Sequence, residues 1–159
     1  MGLFLDYGNG KDGLASGISG VINTYATCTG TTGSRTVTTS LSVAAGDLVF
    51  LWQTQGSGAT NCEMVRVAAP GSGNFTATVA LINSYVTGAQ AIKVPQYTSG
   101  TFGALSATAW NGSIGGLCIA VANGAIVIPA SDLNGKGFTG GTGVAAGSNL
   151  STRGNQGAG

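Results

Sequence analysis

The sequence has no histidine, and only 7% of its residues are Asp, Glu, Lys or Arg, where a soluble domain usually carries about 25%. Without histidine no Ser-His-Asp or Cys-His nucleophile can be assembled, nor a histidine-ligated zinc site. Six basic side chains against five acidic ones, scattered singly, leave a net charge of +1 and no basic stripe. Nucleic acid is therefore not an expected partner. Long apolar runs are missing too: Leu48 to Trp52 and Ala125 to Ile128 fall far short of the roughly 20 residues of a membrane helix. Membrane insertion is not expected. The amino end, Met1-Gly2-Leu3-Phe4-Leu5-Asp6, places no basic segment ahead of an apolar one and does not read as a secretion signal.

Cysteine is scarce, and Cys28, Cys62 and Cys118 show no C-x-x-C spacing. They read as small buried hydrophobes, with one disulfide and a leftover thiol as the alternative.

What the chain has is glycine, 29 of 159 residues, and 43% hydrophobic residues, enough for a core in one domain. The legible period is two. From Arg35 to Val43, Val37, Leu41 and Val43 share a face opposite Thr36, Thr38, Ser40 and Ser42. From Asn74 to Ile82, Phe75, Ala77, Val79 and Leu81 alternate with smaller residues. Such alternation is that of strands, and threonine suits the pleat. Leu48 to Trp52 is apolar throughout and reads as a strand covered on both faces. Weaker strand candidates are residues 17–25, 63–68, 91–94, 117–122 and 125–128. No glycine-free window keeps a 3.6 period, so essentially no helix is expected.

Asn-Gly pairs at Asn9-Gly10, Asn111-Gly112, Asn123-Gly124 and Asn134-Gly135 mark tight turns. The spacing fits either an antiparallel sandwich or small barrel, or a short β-solenoid. Residues 135–159 crowd nine glycines among few large side chains, which gives a β domain over 1–134 followed by a glycine-rich tail. Val21 to Thr27 echoes Leu81 to Thr87, each with a tyrosine. The echo is either chance in a low-complexity chain or a pair of equivalent structural positions.

Candidate chemistry is sparse. Asp6, Asn9 and Asp12 put three oxygen-bearing side chains in one glycine loop, a conceivable calcium set that lacks EF-hand spacing; a turn closed by Asx bonds is the plainer reading. Asp47 and Glu63 are the acids of the chain's middle, but nothing in the sequence brings them together as a glycosidase pair would require. Trp110 and Asn111, beside a turn, are candidate contacts for a surface glycan, while Trp52 reads as core. Leu3, Phe4 and Leu5 open the chain as an apolar segment, either a strand of its own sheet or one donated to a neighbour during assembly.

The stretch "AAGDLVFLWQTQGSGATNCEMVRVAAPGSGNFTATVALINSY", with "AQAIKVPQYTSGTF" after it, resembles a glycine- and threonine-rich module of large, adhesin-like bacterial surface proteins. The continuation "ALSATAWNGSIGGLCIAVANGAIVIPASDLNGKGFTGG" is similar to solenoid-like coils of such proteins and to segments of phage fibres, and "DYGNGKDG" is similar to the start of such modules. The resemblance implies an all-β structural module at a cell surface, outside the cell or on a virion. It supplies no catalytic residue.

Low charge, threonine-rich strand faces and the glycine segment lead to a non-enzymatic protein that self-associates into a homo-oligomer, filament, fibre or surface layer. The alternative is a carbohydrate-binding adhesin or fibre-tip module.

Overall fold

Alternating threonine and aliphatic residues give the chain two-faced strands, and the architecture follows from how those faces close on one another. A computed structural model describes residues 8–128. They form eleven strands: β1 Leu14–Val21, β2 Thr24–Gly30, β3 Thr36–Thr39, β4 Leu48–Gln53, β5 Cys62–Pro70, β6 Asn74–Ala77, β7 Tyr85–Val94, β8 Gln96–Tyr97, β9 Ser99–Ser106, β10 Val121–Ala122 and β11 Ile126–Val127. No helix occurs among the described residues, so none there is long and apolar enough to cross a membrane.

Six of the strands close into a barrel in the order β2-β3-β6-β5-β4-β7, every pair antiparallel. Cross-strand partners put their apolar side chains inside: Val37 faces Phe75, Val49 faces Val65, and Leu51 faces Ala91. Val37, Phe75, Val49, Leu51 and Ala91 are all fully buried. Small residues on β7 (Ala89, Ala91) and on β2 (Ala26, Cys28) leave room for Phe75 and Tyr85 in the same core. The outward face of β4 and β7 is equally apolar. Leu48 pairs with Val94 and Phe50 with Ile92, and Leu48, Val94 and Ile92 are buried although they point out of the barrel. The continuous apolar run at Leu48 to Trp52 is the trace of this double burial.

Beside the barrel lies a second, parallel element. Strands β1, β9 and β11 pair side by side in parallel, as do β8 and β10. Val121 lies 25 positions beyond its partner Gln96, and Ile126 lies 26 beyond Gly100, the signature of a coil stacked on the coil before it. By contrast, 85 positions separate Leu14 from its partner Ser99, because the whole barrel is inserted between those two coils. Residues 107–120 occupy the corresponding place in the next coil. Barrel and solenoid, two alternatives in the sequence, are therefore both present. A small core of Ala15, Tyr97 and Phe102 holds the coils together; the two rings meet edge to face with centroids 5.4 Å apart. Gly100 makes the stacking possible, since a Cβ there would lie 2.2 Å from Ala15 Cβ.

Some expectations change. Of the tight turns, Asn9-Gly10 and Asn123-Gly124 follow the solenoid alternative and sit at coil corners: Asp12 N–H donates to Gln96 O and Asn123 N–H to Tyr97 O, both across stacked coils. The strand expected over 74–82 ends at Ala77, and Val79 is exposed, because the chain leaves the ladder there and Leu81 N–H bonds to Ser34 O. The two tyrosines of the internal echo are not equivalent. Tyr25 is partly buried and donates to Leu117 O, whereas Tyr85 is buried in the barrel core. Of the three cysteines, Cys28 is buried as expected, while Cys62 and Cys118 are exposed, and all three are free. The glycine-rich stretch 135–159 and the segment Leu3, Phe4 and Leu5 lie outside the described residues.

Candidate functional site

The coil excursion 107–120 is pinned to the barrel by buried amides that act as stand-ins for backbone. Gln90, fully buried on β7, accepts from Gly115 N–H at 2.9 Å and donates to Gly115 O at 3.2 Å. Asn23, just before β2, accepts from Ile119 N–H at 2.9 Å and donates to Ile119 O at 2.7 Å and Lys93 O at 2.9 Å. A side-chain amide offers one donor and one acceptor in the geometry of a peptide, so each residue adds a rung where no strand exists. Gly115 is obligatory: its φ is +105°, and a Cβ would sit 2.7 Å from Ala109 O.

This docking brings Trp110, half-buried on the excursion, beside Trp52 at the end of β4. Together they line a groove of about 480 Å³ whose remaining wall is the loop from Thr54 to Thr60. Gln55 Nε2 ties that loop to the excursion through Gly112 O at 2.7 Å. Trp52, which the sequence assigns to the core, points out of the barrel, in register with Gln90 and Cys62 on the flanking strands. No lining side chain is charged. Asn111 is not a lining residue: its Oδ1 accepts from Ser113 N–H at 3.0 Å and Ile114 N–H at 2.9 Å, closing the turn that presents Trp110.

The other candidates are occupied structurally. Asn9 Oδ1 accepts from Lys11 N–H, and Asp12 Oδ2 accepts from Gln96 N–H; Asp6 lies outside the described residues. No group of three or more His, Cys, Asp or Glu that could hold a metal occurs among the described residues. Asp47 is buried where the barrel meets the first coil. Its carboxylate bonds Lys11, Lys93 (2.8 Å) and the Ala44 N–H (2.8 Å). Burial alone would raise its pKa, but the two ammonium groups and the N–H outweigh burial and hold it below the ordinary value. Glu63 accepts from Ile82 N–H, Asn83 N–H and the Tyr85 hydroxyl. Burial, and then the nearby Glu63 charge, push the Tyr85 phenol upward. Asp47 and Glu63 thus each serve a separate structural knot rather than a shared reaction centre. A second, larger cleft of about 700 Å³ runs past Asp12, Thr24, Leu41 and Lys93 at the junction of barrel and coil.

No family model matches the chain and no curated protein matches it. Two solved structures similar to part of it are phage tailspikes. One is the tailspike protein gp49 of Pseudomonas phage LKA1, at 14% identity and a TM-score of 0.35, covering 57% of this chain and 22% of that one. The other is the Gp54 tailspike of Acinetobacter baumannii bacteriophage AP22, solved in complex with A. baumannii capsular saccharide. It is 12% identical with a TM-score of 0.39, covering 70% of this chain and 24% of that one. The chain spans less than a quarter of either tailspike's length.

Proposed function

We propose that this is a carbohydrate-binding module of a surface or virion fibre, with the saccharide seated in the groove between barrel and coil. The observation that carries this reading is the convergence of Trp52 and Trp110, from elements 58 positions apart, on one apolar, uncharged groove. Sugar rings present C–H faces to aromatic planes, and no hydrogen bond among the described residues engages either indole N–H, so both can meet a hydroxyl at the edge. Both tryptophans are half-buried, and the part of each that faces the groove leaves apolar area in water. The sequence resemblance to surface-protein modules and fibre segments supplies the setting.

A glycan array probed with the protein tests the reading. The expected result is a restricted set of hits, each weakened about tenfold by Trp52→Ala and by Trp110→Ala, the effect of losing one stacked aromatic. Hits indifferent to both substitutions, or no hits, would contradict it.

Self-association is a second reading, favoured by the open edges of the parallel sheet. Among the described residues β1 and β11 each pair on one side only, and Leu14, Val21, Ile126 and Val127 are exposed there at 67%, 51%, 45% and 55%. An unpaired edge with apolar side chains is a template for another strand. Sedimentation velocity over a concentration series distinguishes the two, since assembly through these edges gives species that grow with concentration without added saccharide.

A further inference from the structure

Thr60 is the one non-glycine residue with a left-handed backbone among the described residues, at φ 88°. For a β-branched residue that conformation is an outlier, and it persists only where the surroundings over-determine it. Here they do: Thr60 N–H donates to Gln53 O at 3.0 Å, and Gln53 N–H donates to Asn61 O at 2.8 Å. The same loop meets the same conformational demand twice more, with Gly56 at φ 78° and Gly58 at φ 80°. A chain holding 29 glycines carries threonine at the third position.

Those backbone bonds hold the conformation, but no contact of the Thr60 side chain among the described residues offsets the strain. Thr60 is exposed, so its methyl fills no core. No hydrogen bond among the described residues engages its hydroxyl. What it does is line the groove beside Trp52 and Trp110. Its polar neighbours there are already committed. Gln53 Nε2 bonds Gln55 O at 2.6 Å and its Oε1 accepts from Val86 N–H at 2.8 Å. Thr54 Oγ1 bonds Gly88 O at 2.6 Å, and Gln55 Nε2 bonds Gly112 O.

We infer that Thr60 is a specificity-determining residue of the groove, its hydroxyl on the wall shared with the two tryptophans available to hydrogen-bond a hydroxyl of a neutral saccharide. The inference rests on the saccharide reading above. The neutral class follows from the lining: an acidic sugar would give up water from its carboxylate and meet no cation there.

The test uses an array printed with neutral oligosaccharides of glucose, galactose, mannose and N-acetylglucosamine and with acidic ones carrying uronic or sialic acids. Wild type, Thr60→Gly, Thr60→Ser and the two tryptophan variants are titrated on it, and each is melted. Thr60→Gly removes both the hydroxyl and the strain. It is expected to raise Tm, on the order of 4 °C, while weakening binding to neutral glycans about threefold to tenfold, the worth of one neutral hydrogen bond. Thr60→Ser keeps the hydroxyl and is expected to bind within about twofold of wild type. A residue kept for the fold alone cannot move stability and binding in opposite directions. Wild-type binding by Thr60→Gly, with both tryptophan variants impaired, would overturn the role of Thr60 and leave the groove standing. A lower Tm for Thr60→Gly would overturn the strain argument, and hits confined to acidic glycans would overturn the neutral class. Binding indifferent to both tryptophans removes the groove and this inference together.

Discussion

At the scale of single residues, the polar side chains that matter most are buried and engaged. Asp47 ties Lys11 of the first coil to Lys93 of the barrel, with its own side chain 3% exposed and the lysines about a third exposed. Its pKa is lower in the folded chain than the ordinary value of 3.8. A depressed carboxylate contributes stability that is present above the unfolded pKa and is lost as pH falls through the folded one. Melting temperature is therefore expected to fall as pH drops from about 5 toward 2, and Asp47→Asn is expected to flatten that limb. At pH 7 the substitution should cost about 1.5–3 kcal/mol, the range for hydrogen bonds to a charged group, checked by denaturant unfolding. Cys28 gives a second residue-scale prediction. Burial pushes its thiol up to about 12, so iodoacetamide at pH 8 should label Cys62 and Cys118, both exposed, and leave Cys28 unmodified in the mass spectrum until the protein unfolds.

At the scale of elements, most strands were legible because their faces differ. Val37 against Thr36 and Thr38, and Phe75 against Thr76, announce β3 and β6; the unbroken run at Leu48 announces β4. The long excursion 107–120 was not legible as a docked element. It has no ladder of its own, and what fixes it is Gln90 and Asn23, amides that look in sequence like ordinary surface residues. A polar glutamine flanked by Ala89 and Ala91 and followed by Ile92 was the signal available. Trp52 was misassigned for a related reason: an apolar run shows that both faces are covered, but not that cover stops at the last residue. Gln90→Leu has nearly the same volume and cannot bond Gly115. It should release the excursion, seen as faster amide exchange over residues 110–116 while the barrel strands stay protected. Unchanged exchange there would mean that the excursion is held by packing alone.

At the scale of the whole molecule, period-two patterning identifies strands but not their partners. Antiparallel neighbours such as β4 and β5 are close in sequence, whereas β1 finds β9 across 85 positions. No local signal spans that interval, which is why barrel and solenoid looked like alternatives when one is inserted in the other. The insertion also makes the groove: one wall belongs to the barrel and the other to the coil, so neither half suffices alone. Gly100→Ala tests this dependence, because a Cβ against Ala15 must separate the stacked coils. The variant should lose about 1–3 kcal/mol of stability, as overpacking does, and should bind glycans less well although it touches no groove residue.

The groove itself is tested most directly by its two indoles. Trp52 and Trp110 are the only tryptophans, so a ¹⁵N-labelled sample gives two indole N–H cross-peaks, assignable by Trp52→Phe and Trp110→Phe. Titration with the strongest neutral oligosaccharide from the array should move both peaks along one saturating curve. Saturable binding that leaves both indoles where they were would contradict the account.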